Sequence, residues 1–218
     1  MAPSFPQFDR IGGSNRNAFE ARLDEQIQRF LRDVAEFTEH FVFESGVEWL
    51  FLAGADAVHN LQVLLSPEVA EKIVAIVPME MSADEHTLLE KTWPLQRAEV
   101  ERGNLQLVER LLEQVAGSQE AVIGVQPTLI SLQKGRLELL LVSREIGAEV
   151  RECLQCGFCS SELLSKCPVC NSSDLHNVRL ATVLPYLCRK YGTKMKVLSA
   201  PVADRLNREG GIGGVHRF

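Results

Sequence analysis

Apolar residues recur every three or four positions early in the chain and predict one long amphipathic helix. The members of this repeat are Phe19, Leu23, Ile27, Phe30, Val34, Phe37 and Phe41. Two short apolar runs follow at 48–54 and 72–77, and each has the length of a buried strand. Between them, Pro67 indicates the first turn of a short helix. The first third of the chain is therefore predicted to alternate between helices and strands.

The next segment predicts a helix that is interrupted. Ser82 and Glu85 have the spacing of a capping box, which marks a helix start. Pro94 follows within the helical pattern, and a proline there removes a backbone hydrogen bond and crowds the preceding turn. We therefore expect a hinge or domain boundary at residues 93 and 94.

The rest of the chain repeats the alternation of helices and strands. Predicted helices lie at 105–117, 127–134, 179–191 and 201–208, and predicted strands at 121–125, 137–143, 194–199 and 211–217. The run at 137–143 is almost continuously apolar, which suits a strand covered on both faces. Such alternation predicts an α/β fold.

Four cysteines occur as two Cys-x-x-Cys pairs in the second half of the chain. They are Cys153, Cys156, Cys167 and Cys170. Two residues between thiolates let a tight turn aim both sulfurs at one ion, and two such turns supply a tetrahedral set. Gly157 and Asn171 follow the pairs and are the residue types that adopt a positive φ most cheaply. The pattern predicts a ribbon at 150–178 holding one structural zinc ion, and rubredoxin-type iron remains an alternative.

Other candidate chemistry is sparse. Cys159 and Cys188 lie outside the pattern and are predicted to be buried apolar residues. His176 follows the last ribbon cysteine by six residues and is a candidate neighbour of the ligands. The chain contains neither a phosphate loop nor a nucleophile elbow, so no small-molecule substrate is evident.

The composition is that of an ordinary globular protein, with 45% hydrophobic and 24% charged residues. The sequence has no apolar run of membrane-helix length and no secretory signal pattern. We therefore expect a cytoplasmic protein with no membrane partner.

Charge is distributed unevenly around a net value of −6. The first 93 residues are acidic, whereas the segment from residue 179 onward is basic, which indicates that any contact with RNA or a charged partner involves the second half. The candidate contact residues are Arg189, Lys190, Lys194 and Lys196. The two residues Lys194 and Lys196 alternate along a predicted strand and should share a solvated face, with Met195 and Val197 turned to the core.

Four features, in this order, carry a resemblance to a known family. They are the strand–helix–strand segment 121–143, the cysteine ribbon, the strand segment 191–199 and the terminal Gly-Gly-Ile-Gly-Gly-Val-His-Arg-Phe at 210–218. The chain resembles the archaeal and eukaryotic type of class-1 peptide chain release factors together with Pelota, in a bacterial branch, over their central and C-terminal domains only.

The resemblance implies two small α/β domains. After a flexible lead-in at 1–11, residues 12–93 correspond to an RNase H-like central domain that is incomplete at its start. Residues 94–218 correspond to the C-terminal α/β sandwich with the inserted zinc ribbon.

The resemblance also places one loop of the family on this sequence. Gly12, Gly13 and Ser14 fall where release factors carry Gly-Gly-Gln, whose glutamine helps to place the hydrolytic water. Because serine replaces that glutamine, we expect no peptide release and no enzymatic activity from this chain.

The resemblance implies a ribosome-associated translation factor that binds ribosomal RNA or a translational GTPase. One alternative is an active release factor that hydrolyses peptidyl-tRNA, if the chain is a fragment of a longer protein with a decoding domain. Another is a zinc-ribbon protein of unrelated role, in stress response or iron-dependent electron transfer.

Overall fold

The computed structural model describes residues 16–55, 57–117 and 120–217. The helices are α1 (Arg16–Ser45), α2 (Ala57–Leu64), α3 (Pro67–Ala70), α4 (Glu85–Gly117), α5 (Val125–Gln133), α6 (Leu180–Tyr191) and α7 (Ala203–Asn207). The strands are β1 (Leu50–Gly54), β2 (Ile73–Pro78), β3 (Ala121–Ile123), β4 (Leu137–Ser143), β5 (Glu149–Cys153), β6 (Cys159–Ser160), β7 (Leu175–Arg179), β8 (Lys194–Leu198) and β9 (Ile212–His216). The chain divides into two compact units between Glu99 and Val100, within α4. Among the described helices, none combines the length and apolar character needed to cross a bilayer.

The first unit packs α1 and α2 against a parallel pair of strands, β1 and β2. The long helix α1 confirms the predicted one, but its buried face is rotated from the predicted stripe. Leu31, Ala35 and Val42 are buried, whereas Phe37 and Phe41 are 46% and 52% exposed. Successive helical positions differ by about 100° around the axis, so a one-residue offset in the packed stripe turns the aromatic side chains outward.

Helix α4 differs from the prediction at its start and at Pro94. The cap is Asp84, not Ser82: the backbone N–H of Thr87 donates to Asp84 Oδ1 at 2.9 Å and the Thr87 hydroxyl donates to it at 2.6 Å. These hydrogen bonds, the hydroxyl one foremost, lower the pKa of the Asp84 carboxyl. The helix continues through Pro94, so the predicted interruption is wrong. Pro94 is exposed, and water can satisfy the carbonyl that a proline leaves without its helical partner.

The second unit is a four-stranded sheet covered by helices on both faces. The strand order is β3-β9-β4-β8, with β4 parallel to β8 and antiparallel to β9. Strand β4 matches the predicted 137–143 and is buried from both sides, since Leu140 packs with residues of α5 and α6 while Leu141 packs with residues of α4 and α7. The predicted α/β fold is confirmed, and the three-stranded ribbon β6-β5-β7 is inserted between β4 and α6.

The glycines of the C-terminal motif allow close packing at the centre of this sheet. A Cβ atom on Gly213 would lie 2.7 Å from Leu111 Cδ2 and 3.0 Å from the carbonyl oxygen of Val122. One on Gly214 would lie 2.6 Å from Leu137 Cδ1. Strand β9 therefore fits between β3 and β4 because these positions carry no side chain.

Arg217 is exposed, but its side chain is held in place by backbone carbonyls of the fold. Its Nη2 donates to the carbonyls of Tyr191 at 3.0 Å and Gly192 at 2.7 Å, and its Nε donates to the carbonyl of Leu137 at 2.9 Å. The Tyr191 carbonyl is at the end of α6, where Gly192 adopts the left-handed conformation. Arg217 thus satisfies carbonyls that the helix end leaves without partners.

Candidate metal centre

Two tight turns bring the four ribbon cysteines together. The backbone N–H of Gly157 donates to the carbonyl of Cys153 at 2.8 Å, and that of Asn171 donates to the carbonyl of Cys167 at 2.9 Å. Gly157 has a φ of 70° and Asn171 a φ of 61°, which confirms the predicted positive φ at both positions. Each turn therefore folds its pair of thiols toward the same point.

The sulfur positions fit a tetrahedral metal ion. The Sγ atoms of Cys153, Cys156, Cys167 and Cys170 all lie within 4.8 Å of one another. The Cys153–Cys170 and Cys156–Cys167 pairs are each 3.5 Å apart. Ligands about 2.3 Å from a central zinc ion stand roughly 3.8 Å apart in a tetrahedron, so this set can hold one ion.

The pKa values of the cluster show what a bound cation would have to supply. Burial, with smaller contributions from neighbouring sulfurs, raises the pKa of the Cys156 thiol to about 12. At Cys167 burial also raises the pKa, but hydrogen bonds from the backbone N–H groups of Cys170 and Val169 and from the thiols of Cys156 and Cys170 together outweigh it and bring the pKa down to about 7. The protein alone therefore does not keep all the sulfurs ionised at neutral pH. A divalent ion would supply the charge that four adjacent thiolates require.

Two glutamines on α5 hold the ribbon against the sandwich. Gln133 pairs with Cys159 in both directions: its Nε2 donates to the Cys159 carbonyl and its Oε1 accepts from the Cys159 N–H, both at 2.7 Å. Seven residues earlier, Gln126 Oε1 accepts from the backbone N–H of Ser161 at 2.8 Å. Neither glutamine was predicted from the sequence as a site residue. Their spacing was the available signal, because residues seven apart on a helix share a face.

The remaining cysteines and His176 lie apart from the four sulfurs. Cys159 and Cys188 are buried, as predicted, and burial raises the pKa of their thiols to about 12 and about 11. His176 faces Glu152 across β5 and β7: its Nδ1 is 3.1 Å from the Glu152 carbonyl oxygen and its Nε2 is 3.5 Å from Glu152 Oε2. Since Glu152 precedes Cys153, His176 steadies the strand that carries a ligand.

The candidate basic residues form two pairs separated by the turn at Gly192. Arg189 and Lys190 are exposed in the last turn of α6, and Lys190 Nζ lies 5.4 Å from the ring centroid of Tyr191. Lys194 and Lys196 are exposed on β8, an edge strand, where lysines also oppose pairing with other strands.

The structure corrects one residue of the predicted strand pattern. Val197 is exposed, not turned to the core, whereas Met195 packs on the core as predicted. Among the described strands, β8 has β4 as its one neighbour in the sheet, so its side chains near the edge receive less cover than those of β4. The candidate loop Gly12, Gly13 and Ser14 and the predicted lead-in 1–11 lie outside the described residues.

The chain is similar to release factors and Pelota proteins. Residues 4–97 match the family described as bacterial archaeo-eukaryotic release factor family 10. No curated protein matches the chain significantly.

Three solved structures are among those to which the chain is similar. Archaeal Pelota, described as ribosome-bound with ABCE1, is 19% identical over 88% of this chain and 50% of its own, with a TM-score of 0.56. Dom34 of S. cerevisiae, described as a translation termination-like factor interacting with Hbs1, is 13% identical over 89% of this chain and 54% of its own, with a TM-score of 0.50. The C-terminal domain of the peptide chain release factor from Methanosarcina mazei is 22% identical over 63% of this chain and 97% of its own, with a TM-score of 0.41.

The chain spans about half the length of archaeal Pelota and Dom34. At these identities the matches to archaeal Pelota and Dom34 establish a shared fold, and the family match covers residues 4–97. The resemblance to the archaeo-eukaryotic release factor and Pelota family, in its bacterial branch, is thereby confirmed.

Proposed function

We propose that this protein is a ribosome-associated translation factor that binds the ribosome or a translational GTPase and lacks peptide-release activity of its own. The observation that carries the proposal is the match of residues 4–97 to a release factor family. The fold shared with an archaeal Pelota described as ribosome-bound supports it. Dom34, described as interacting with Hbs1, supports a protein as the second class of partner.

The proposed metal is one zinc ion with a structural role. Four thiolates complete a tetrahedral set and leave no position for an activated water. The ion would cross-link β5 to the turn that precedes β7, because its ligands come from both ends of the ribbon. In a cytoplasmic setting the thiols stay reduced and available to the metal.

The basic pairs are the proposed contacts with ribosomal RNA. We expect the Lys194→Ala/Lys196→Ala double variant to bind ribosomes more weakly and with a smaller salt dependence. Each lysine that no longer meets a phosphate should lower the slope of log affinity against log salt by about one unit. Co-sedimentation with ribosomes at several salt concentrations measures both quantities.

A matched double variant controls for the removal of two positive charges. Arg22→Ala/Arg29→Ala removes two exposed cations from α1 in the first unit and should leave the slope unchanged. Equal affinity and slope for the lysine variant and the parent would remove these lysines from the interface. Failure of the parent chain to sediment with ribosomes at low salt would contradict ribosome association itself.

We expect the unmodified chain not to hydrolyse peptidyl-tRNA on ribosomes. Ser14 is too short to place water as a glutamine does, and removing one such group costs about two to three orders of magnitude in rate. The measurement is release of labelled peptide from programmed ribosomes. Ser14→Gln tests whether a glutamine at this position gives activity, and Ser14→Ala is its control. Codon-dependent release by the parent chain would contradict the prediction.

A further inference from the structure

We propose that the ammonium group of Lys190 is a charge partner of the four-cysteine metal centre and strengthens metal binding there. Lys190 lies in the last turn of α6, outside the ribbon, and is not one of the four ligands. It acts on the sulfurs through space. The inference rests on the proposed metal, and it gives Lys190 a task within the protein that requires no contact with RNA.

The filled metal site would carry an excess of negative charge. Four thiolates outweigh the two positive charges of a zinc ion, so the cluster becomes a dianion when the ion is bound. Because thiols release protons when a metal binds, this negative charge builds up in the ribbon during binding. A cation fixed nearby stabilises the metal-bound form more than the metal-free form, and metal affinity rises as a result.

Lys190 places its positive charge beside the first cysteine turn. A Cβ atom on Gly157, which directly follows the ligand Cys156, would lie 4.0 Å from Lys190 Nζ. Tyr191, the next residue after Lys190, and Cys156 line the same cavity of about 460 Å³. The end of α6 and the first cysteine turn are therefore neighbours in the fold.

A sulfur atom outside the cluster reports the same position for this charge. Burial, and then the carboxylate of Glu152, raise the pKa of the Cys159 thiol, whereas Lys190 acts in the opposite direction. Glu152 lies 3.5 Å from His176 Nε2 through its Oε2 atom, so its carboxylate has a partner on β7. The field of Lys190 therefore reaches into the ribbon.

Two aromatic rings hold the ammonium group in place. Lys190 Nζ lies 5.4 Å from the ring centroid of Tyr191 and 6.0 Å from that of Tyr186. The face of an aromatic ring carries negative potential and attracts a cation at such distances. Tyr186 stands one helical turn before Lys190, where side chains four residues apart meet. Ring contacts from two residues favour one position for a side chain that is otherwise exposed.

Lys134 on α5 adds charge of the same sign. It lines the cavity together with Cys156, and no carboxylate is among the described lining residues. The two lysines differ in how they are held, since the ring contacts described above belong to Lys190. We therefore assign the larger effect to Lys190.

Chelator competition on the purified full chain tests the proposal. Lys190→Met removes the charge and keeps a long unbranched side chain, whereas Lys190→Arg keeps the charge. The measured quantity is the affinity for zinc, determined against a zinc-chelating dye at about 0.05 M and about 1 M salt. At low salt we expect Lys190→Met to bind zinc about fivefold more weakly than the parent, and Lys190→Arg to remain within about twofold of it.

The dependence on salt distinguishes a charge effect from a packing effect. The range of electrostatic interactions shortens to about 3 Å at 1 M salt, so the deficit of Lys190→Met should fall below about twofold there. A loss of packing would persist at both salt concentrations. Equal far-ultraviolet circular dichroism shows that each variant is folded.

Arg208→Met is the matched control for removal of one exposed cation. Arg208 stands at the end of α7, which packs on the opposite face of the sheet from α6. It should bind zinc as the parent does at both salt concentrations.

Three results would overturn the role of Lys190. They are parent-like affinity in Lys190→Met, a deficit of equal size at low and high salt, and a deficit in Lys190→Arg as large as in Lys190→Met. Each of them leaves the metal site itself standing, because the parent still binds zinc. A parent chain that binds no zinc would contradict both the metal site and this inference.

Discussion

Removing the metal is expected to unfold the ribbon while leaving the four-stranded sheet folded. The ribbon contributes few residues to the core, chiefly Val150 and Cys159, so its free energy of folding must come largely from the ion. Structural zinc sites contribute about 10 kcal/mol or more of apparent binding free energy. Hydrogen exchange of residues 149–179 before and after chelation measures the unfolding, with protection in β4 as the internal reference.

The ligands can be tested by substitution. We expect Cys167→Ser/Cys170→Ser to lower the metal content from one ion per chain to none, whereas Cys188→Ala should retain the ion because Cys188 lies outside the cluster. Elemental analysis distinguishes zinc from iron. Two results would contradict the four-cysteine metal site. One is a parent chain that carries no metal when purified without chelator, and the other is a double variant with the parent's metal content.

Gly213→Ala is expected to lower the free energy of unfolding by about 2 to 3 kcal/mol. The added methyl group would overlap Leu111 and press on the backbone oxygen of Val122, which cannot rotate away. Overpacking a filled core typically costs in this range. Urea unfolding followed by far-ultraviolet circular dichroism measures the change.

Gly103→Ala is the matched control and should act in the opposite direction. Gly103 lies within α4, and a Cβ atom there would meet nothing within 4 Å. Alanine in place of a helical glycine stabilises by about 0.5 to 1 kcal/mol. For Gly213→Ala, an unfolding midpoint in urea equal to that of the parent would contradict the tight packing of β9 between β3 and β4.

Local chemistry was enough to predict much of the second unit. The strand 137–143 and the two cysteine turns came directly from the sequence, because a continuous apolar run and a Cys-x-x-Cys pair followed by glycine or asparagine each specify a local geometry. Helix α2 was missed. Its eight residues carry no long apolar repeat, so the neighbouring α1 and β1 provide the packing that stabilises it.

The sequence by itself determined most of the helices and strands outside the ribbon, α2 excepted, together with the α/β class and the four sulfurs that can meet at one point, since these depend on residues close together in the chain. Tertiary structure decided which face of α1 is buried, why β9 carries adjacent glycines, and that Arg217 serves the end of α6. It also decided that Gln126 and Gln133 hold the ribbon. Each of these depends on a partner distant in sequence, and periodicity along one segment carries no information about what the fold packs against it.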